Sequence, residues 1–70
     1  MPDVPAHITG TVWKIEVQVG QAVNAGDTLV ILESMKMEMP VEAPAGGTVK
    51  EIRVKEAQAV NEGDVLVVVG

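Results

Sequence analysis

An internal duplication constrains the fold of this chain more than any other feature. Residues 10–33 align with residues 47–70 at an offset of 37, and 13 of the 24 aligned positions are identical. Stacked repeats need about three units to bury a continuous core, so two copies should pack against each other about a pseudo-two-fold axis. The copies are separated by a 13-residue gap, residues 34–46.

The core of such a domain has to come from aliphatic side chains. The chain has 70 residues, no Cys and one His, so a domain near the lower size limit for a self-sufficient core lacks disulfides and the usual metal ligands. Valine supplies 14 of the 70 residues and Trp13 is the only aromatic. Since β-branched side chains suit pleated surfaces, we predict one all-β domain over residues 1–70.

The pattern of apolar and turn-forming residues in each copy predicts three or four short strands. In the first copy, residues 11–17 are extended with apolar residues at two-residue spacing that continue to Val19, residues 22–23 form a short step, and residues 28–32 form a nearly continuous apolar strand. Asn24 and Gly26 fit the turn between the last two. The whole is predicted to be a flattened antiparallel β-sandwich or barrel of six to eight strands.

The segment between the copies predicts a hairpin over residues 29–43 with the two-residue loop Met35-Lys36. The outgoing arm places Met37, Met39, Val41 and Ala43 on one face. Pro40 lacks a ladder donor and belongs at an edge. Two-residue hairpin loops favour Asn, Asp or Gly because φ is positive there, so Met-Lys is a poor local choice, and function is expected to override propensity at this loop. Met35 should be exposed, with Met37 and Met39 partly in the core.

Composition disfavours several classes of function. The formal net charge is −5 without a basic stripe, which argues against nucleic-acid binding. No apolar run reaches the about 20 residues of a membrane span, and the first residues lack a secretory signal, so the cytoplasm is the expected location. One Ser, one His and no Cys leave little for nucleophilic catalysis. We therefore expect a non-catalytic protein without a metal site.

The gap resembles the lysine-bearing segment of a known family. Residues 34–37 read Ser-Met-Lys-Met, residues 43–49 read Ala-Pro-Ala-Gly-Gly-Thr-Val, and a Val-Asn-x-Gly-Asp turn occurs in both copies. These motifs resemble the biotinyl domain of the biotin carboxyl carrier family, the biotinyl-lipoyl attachment domains, over nearly the whole chain. The resemblance implies covalent biotin on Lys36. It also implies that the neighbouring side chains are recognised by partner enzymes, namely Met35, Met37, Ser34 and Glu33.

The same resemblance implies a function as a biotin carboxyl carrier. Biotin on Lys36 would carry a carboxyl group between the biotin carboxylase and carboxyltransferase sites of a multi-component carboxylase. A biotin protein ligase would attach the cofactor. The lysine supplies a long flexible stem, and the hard chemistry belongs to the cofactor and to the partner enzymes.

Two alternatives stay open. Lipoyl domains share the fold, and Gly20 lies 16 residues before Lys36, where those domains often have a glycine, so a lipoyl carrier or a dual biotin/lipoyl protein is one alternative. Lipoyl domains typically have an acidic residue before the lysine and Ala after it, whereas this chain has Met at both positions. The other alternative is an unmodified structural adaptor. The intact mass after co-expression with a biotin ligase would separate the biotin carrier from the adaptor, and it would also report lipoate if lipoylation enzymes are present.

Overall fold

The structure, a computed structural model, describes residues 3–70. This part of the chain forms eight strands and no helix. The strands are β1 (Asp3–Pro5), β2 (Gly10–Ile15), β3 (Ala22–Val23), β4 (Thr28–Ser34), β5 (Met37–Glu42), β6 (Gly47–Ile52), β7 (Ala59–Val60) and β8 (Val65–Val69). Accordingly, no helix in residues 3–70 is long and apolar enough to cross a bilayer.

The strands form two antiparallel four-stranded sheets that exchange their short strands. The sheet with order β5-β4-β2-β7, here the hairpin sheet, contains the strands that flank residues 35–36. The other sheet, here the terminal sheet, has the order β1-β8-β6-β3. The first copy gives β3 to the terminal sheet and the second gives β7 to the hairpin sheet, so the copies interlock. The predicted all-β sandwich of two quasi-symmetric repeats is confirmed.

The core between the sheets reproduces the duplication residue by residue. Its sixteen buried members form eight pairs at the 37-residue offset. All but one of these pairs join identical residues, the exception being Leu32 with Val69. The pairs are Val4/Val41, Ala6/Ala43, Val12/Val49, Val17/Val54, Val23/Val60, Leu29/Leu66, Val30/Val67 and Leu32/Val69. Much of the sequence identity between the copies is therefore identity of packing.

The same pairs show that the repeat begins earlier than the sequence predicted. β1 pairs with β8 as β5 pairs with β4, and the Ala6 N–H donates to the Asp64 carbonyl at 2.8 Å just as Ala43 donates to Asp27 at 2.8 Å. The structural units are thus residues 3–33 and 40–70. The predicted strand over residues 11–17 was too long, because β2 ends at Ile15. Val19, placed in its apolar series, is 62% exposed.

A β-bulge in each sheet sets which side chains face outward. The pairing of β2 with β4 shifts register between Val12 and Lys14, and that of β6 with β8 shifts between Val49 and Glu51. The extra residues are therefore Trp13 and, in the second copy, Lys50. A bulge adds one unpaired residue and bends the strand, so strict alternation is broken at the same point in both copies.

The turns are built alike in both copies. Gly26 and Gly63 take φ of 91° and 94°, which confirms the predicted positive φ at Gly26. We expected the Asn24 side chain to hydrogen-bond to the backbone of the turn, but the hydrogen bond in the structure runs from backbone to side chain in the other direction. Instead the Asn24 N–H donates to Asp27 Oδ2 at 2.8 Å, and Asn61 repeats this contact with Asp64 at 2.8 Å.

Candidate functional site

The hairpin between β4 and β5 closes through the two-residue loop Met35-Lys36. Ser34 lies opposite Met37 in the strand register, and the two loop residues have φ of 53° and 64°. Positive φ at both central residues is the mark of a type I′ turn, whose twist matches that of the flanking strands. Each non-glycine residue in this region costs roughly 1–2 kcal/mol. The loop therefore holds Lys36 in a strained conformation at its apex.

The arms of the hairpin tie the loop to the core. On the inner face Leu32 lies opposite Met39, and Val30 opposite Val41. Leu32 and Val30 have no exposed surface and Val41 is 5% exposed. Pro40 lies on β5, an edge strand of the hairpin sheet, as its missing N–H requires.

The side chains around the loop become more exposed toward its apex. Met39 is half-buried, Met37 is 59% exposed and Met35 is 90% exposed. The expectation that Met37 belongs partly to the core was wrong. Along the inner face of β5 the core covers Val41 and part of Met39, but it does not extend to Met37, the first residue of the strand. Met35 and Met37 instead present two adaptable thioether side chains to solvent, on either side of the exposed Lys36.

The amine of Lys36 is open to reaction partners. In the part of the chain that the structure describes, the ion pair within 4 Å joins Arg53 and Glu51, at 3.0 Å. Glu51 lies in β6 of the terminal sheet and Arg53 follows that strand, away from the loop. Lys36 makes no ion pair with a described residue, so no described carboxylate holds its amine.

Glu33 and Ser34 lie on the incoming arm. Glu33 is exposed and lies directly opposite Glu38. Ser34 is half-buried and lies close to β2, since a Cβ placed on Gly10 would be 3.4 Å from the Ser34 Cβ. The direct pairing of Glu38 with Glu33 was not among the predictions made from the sequence. The length of the loop is enough to predict this pairing: a two-residue loop pairs residue 34 with 37, which places residue 33 opposite 38.

Two other features lie apart from the loop. An open groove is lined by Glu16, Val17, Gln21, Asp27, Thr28 and Ile31, at the end of β4 remote from Lys36. Gly20 donates its N–H to the Val49 carbonyl at 2.8 Å, so it belongs to a turn against the terminal sheet. Within residues 3–70 no three His, Asp or Glu side chains are grouped to hold a metal ion.

Known proteins with similar sequences include biotinylated and biotin/lipoyl attachment proteins. A biotin/lipoyl family model described as "Biotin-requiring enzyme" matches residues 1–69. The biotinylated protein TB7.3 homolog of Mycolicibacterium smegmatis is 54% identical over 41 residues, 59% of this chain and 58% of that protein. The biotin/lipoyl attachment protein of Bacillus subtilis is 47% identical over 40 residues, 57% of this chain and 55% of that protein. The matched segment thus spans little more than half the length of these relatives.

The fold also matches a segment of a solved enzyme. The crystal structure of the Kluyveromyces lactis urea carboxylase superposes with a TM-score of 0.94 at 38% sequence identity, covering 99% of this chain and 6% of the carboxylase. This match and the family model cover nearly every residue and include the hairpin around Lys36. The chain therefore belongs to the biotin/lipoyl attachment family.

Proposed function

We propose that this chain is a biotin carrier in which biotin is attached to the ε-amine of Lys36 through an amide bond. The observation that carries the proposal is the position of Lys36 at the apex of a type I′ loop, with φ of 64°. A strained loop of poor turn formers is expected where a specific side chain must be displayed.

The residues of the loop fit a covalently attached cofactor. Lys36 is exposed, and its side chain is a flexible stem that ends in a primary amine. The exposed thioethers of Met35 and Met37 leave the amine uncovered and can repack against different partner surfaces. When bound, biotin would supply the ring that carries the carboxyl group. The chain's own residues fix the point from which that arm extends.

The chain would act together with separate enzymes. A biotin protein ligase would form the amide, recognising Glu33, Ser34, Met35 and Met37 around the lysine. A biotin carboxylase and a carboxyltransferase would use the arm in turn, and the tether would raise the effective concentration of the carried group at both sites. The chain itself would be a non-catalytic carrier of one domain, working in the cytoplasm. The likeness to a segment of a urea carboxylase supports a place in a carboxylase.

The test is co-expression with a biotin protein ligase, followed by intact-mass measurement and streptavidin blotting. We expect one biotinyl group on the parent chain and none on Lys36→Arg, while Lys50→Arg, the matched control on the terminal sheet, is modified like the parent. Amide formation removes one positive charge, so the formal charge changes from −5 to −6, and the modified form should migrate faster toward the anode on a native gel. Streptavidin binding by Lys36→Arg would refute the assignment.

Lipoate is the second candidate group, because one relative is named a biotin/lipoyl attachment protein. The same Lys36 would be acylated, so the experiment is repeated with a lipoate ligase and free lipoate. A lipoyl mass increment without a biotinyl one would replace the proposal, and both increments in separate reactions would define a dual carrier. An unmodified chain in every reaction would favour the structural adaptor.

A further inference from the structure

The outer face of the hairpin sheet differs from an ordinary solvated face. Here the outer face means the side chains of the hairpin sheet that point away from the core. The strand register places Glu33 between Thr11 and Glu38, and the next outward row places Ile31 between Lys14 and Pro40. Both rows lie just behind the loop that bears Lys36.

Trp13 is the largest apolar group on this face. It is the extra residue of the bulge in β2, and 45% of it is exposed. The Lys14 Nζ lies 5.9 Å from the centre of its ring, which is near the outer limit of a cation–π contact. Trp is among the residues most enriched at the energetic centres of protein interfaces.

The terminal sheet provides a comparison face within the same molecule. At the 37-residue offset Trp13 corresponds to Lys50, and Pro40 corresponds to Asp3. Val68, the counterpart of the partly exposed Ile31, is only 4% exposed. The inner faces of the two sheets are nearly identical, whereas the outer faces differ in polarity and cover. The exposed apolar centre is therefore a feature of the hairpin sheet that the equivalent position of the terminal sheet does not share.

The row of side chains that contains Glu33 and Glu38 has two carboxylates and, in the described part of the chain, no basic partner for either. Glu33 and Glu38 lie directly opposite each other on neighbouring strands, an arrangement that destabilises a sheet through like-charge repulsion. Among residues 3–70 neither carboxylate has a basic side chain within ion-pair distance. A cation that reaches both carboxylates from outside would relieve this repulsion.

We propose that this outer face is a docking surface for one kind of partner, a protein that presents a Lys or Arg beside an apolar side chain. The cation would lie between Glu33 and Glu38, and the apolar group would pack on Trp13 and Ile31. The inference rests on the proposed carrier function in one respect, the choice of the biotin carboxylase as that partner.

The position of this face behind the loop, with Trp13 and Ile31 farther back than Glu33 and Glu38, favours the carboxylase over the ligase, and Glu33 is the one residue that the two proposed contact surfaces share. A ligase has to bring the Lys36 amine itself into its active site, so it has to enclose the loop. A carboxylase acts at the far end of the arm, so it has to hold the body of the domain behind the loop. The docking should therefore not depend on biotin.

The experiment measures binding without modification. The ¹⁵N-labelled Lys36→Arg chain is titrated with the purified biotin carboxylase encoded in the same genome. We expect shift changes at the Trp13 indole and at Ile31, Glu33 and Glu38, and none at Lys50. Changes confined to residues 34–37, or no binding at all, would overturn the docking surface. The Lys36 assignment would stand or fall separately on the mass measurement.

Two matched substitutions test the apolar and the acidic part. Trp13→Lys places in β2 the residue that the equivalent bulge of β6 already carries, and should weaken binding at least about tenfold, whereas Lys50→Ala should leave it unchanged. Glu38→Lys should weaken binding about fivefold or more at low salt, whereas Glu62→Lys, the same charge change on a distant turn, should not. If Trp13→Lys and Glu38→Lys both bind with the affinity of the parent chain, the proposal is contradicted, whatever the two control variants show.

Discussion

Ala57 takes the same left-handed backbone conformation as Gly20, with φ of 72° and 92°, because the two residues close equivalent turns of the two copies. The Gly20 N–H donates to the Val49 carbonyl at 2.8 Å, and the Ala57 N–H donates to the Val12 carbonyl at 2.7 Å. The turn therefore requires this conformation in both copies, although only one copy has glycine there.

Ala57→Gly should stabilise the domain. Left-handed φ costs a non-glycine residue roughly 1–2 kcal/mol, while the added freedom of glycine in the unfolded chain offsets about 0.4–1 kcal/mol. We expect a net gain of up to about 1.6 kcal/mol in the free energy of unfolding, measured by urea denaturation. The reverse change, Gly20→Ala, is the matched control and should destabilise. A loss of stability in Ala57→Gly would show that the strain at this turn is relieved elsewhere.

Gly10→Ala should destabilise the attachment of the hairpin to β2. A Cβ on Gly10 would lie 2.5 Å from the Glu33 carbonyl oxygen, and overpacking of this kind costs about 1–3 kcal/mol. Gly46→Ala is the control, since its Cβ would meet nothing nearer than 3.5 Å. Thermal denaturation should show a lowered midpoint for Gly10→Ala alone. Equal midpoints would mean that β2 and β4 can separate locally without cost.

Met35→Asn should separate the stability of the loop from its recognition. Asn tolerates the left-handed region better than Met, so we expect the free energy of unfolding to rise by about 0.5–1 kcal/mol. The substitution also removes an exposed thioether next to Lys36, and we expect slower biotinylation by a purified ligase. An unchanged rate of biotinylation would exclude Met35 from ligase recognition.

Moving the lysine by one residue tests whether its position matters. In the double variant Lys36→Met, Met37→Lys the amine moves from the loop apex to the first residue of β5, where the strand register fixes its direction. Acyl transfer is sensitive to displacements of about 1 Å, so we expect the variant to fold but to be biotinylated far more slowly than the parent. Circular dichroism checks the fold and single-turnover mass spectrometry the rate. Modification of the moved lysine at the parent rate would show that the ligase reads the local sequence alone.

The repeat made the general architecture predictable from the sequence. Two copies that are too few for a solenoid, with Val at most buried positions, lead to two interlocking sheets. The loop Met35-Lys36 was also predictable, because alternation along the outgoing arm fixes where that arm begins. Positive φ at both loop residues then follows from the length of the loop.

Other features depend on contacts that the sequence does not display. β1 has only three residues and was missed, although Val4 and Ala6 correspond to Val41 and Ala43. The bulge at Trp13 could not be derived, because a single extra residue is set by the pairing with β4 and not by the local pattern. The exposure of Met37 follows from where the inner face of β5 leaves the core, which alternation alone does not show.

The exchange of β3 and β7 between the sheets has a consequence for how the domain opens. Because each copy completes the sheet of the other, neither can come apart while its partner stays folded, and amide exchange in both sheets should follow one global opening. The hairpin that bears Lys36 packs into this shared core through Leu32 and Val30. The loop that bears Lys36 therefore keeps one fixed relation to the rest of the domain, because neither half of the domain can act as a hinge beneath it.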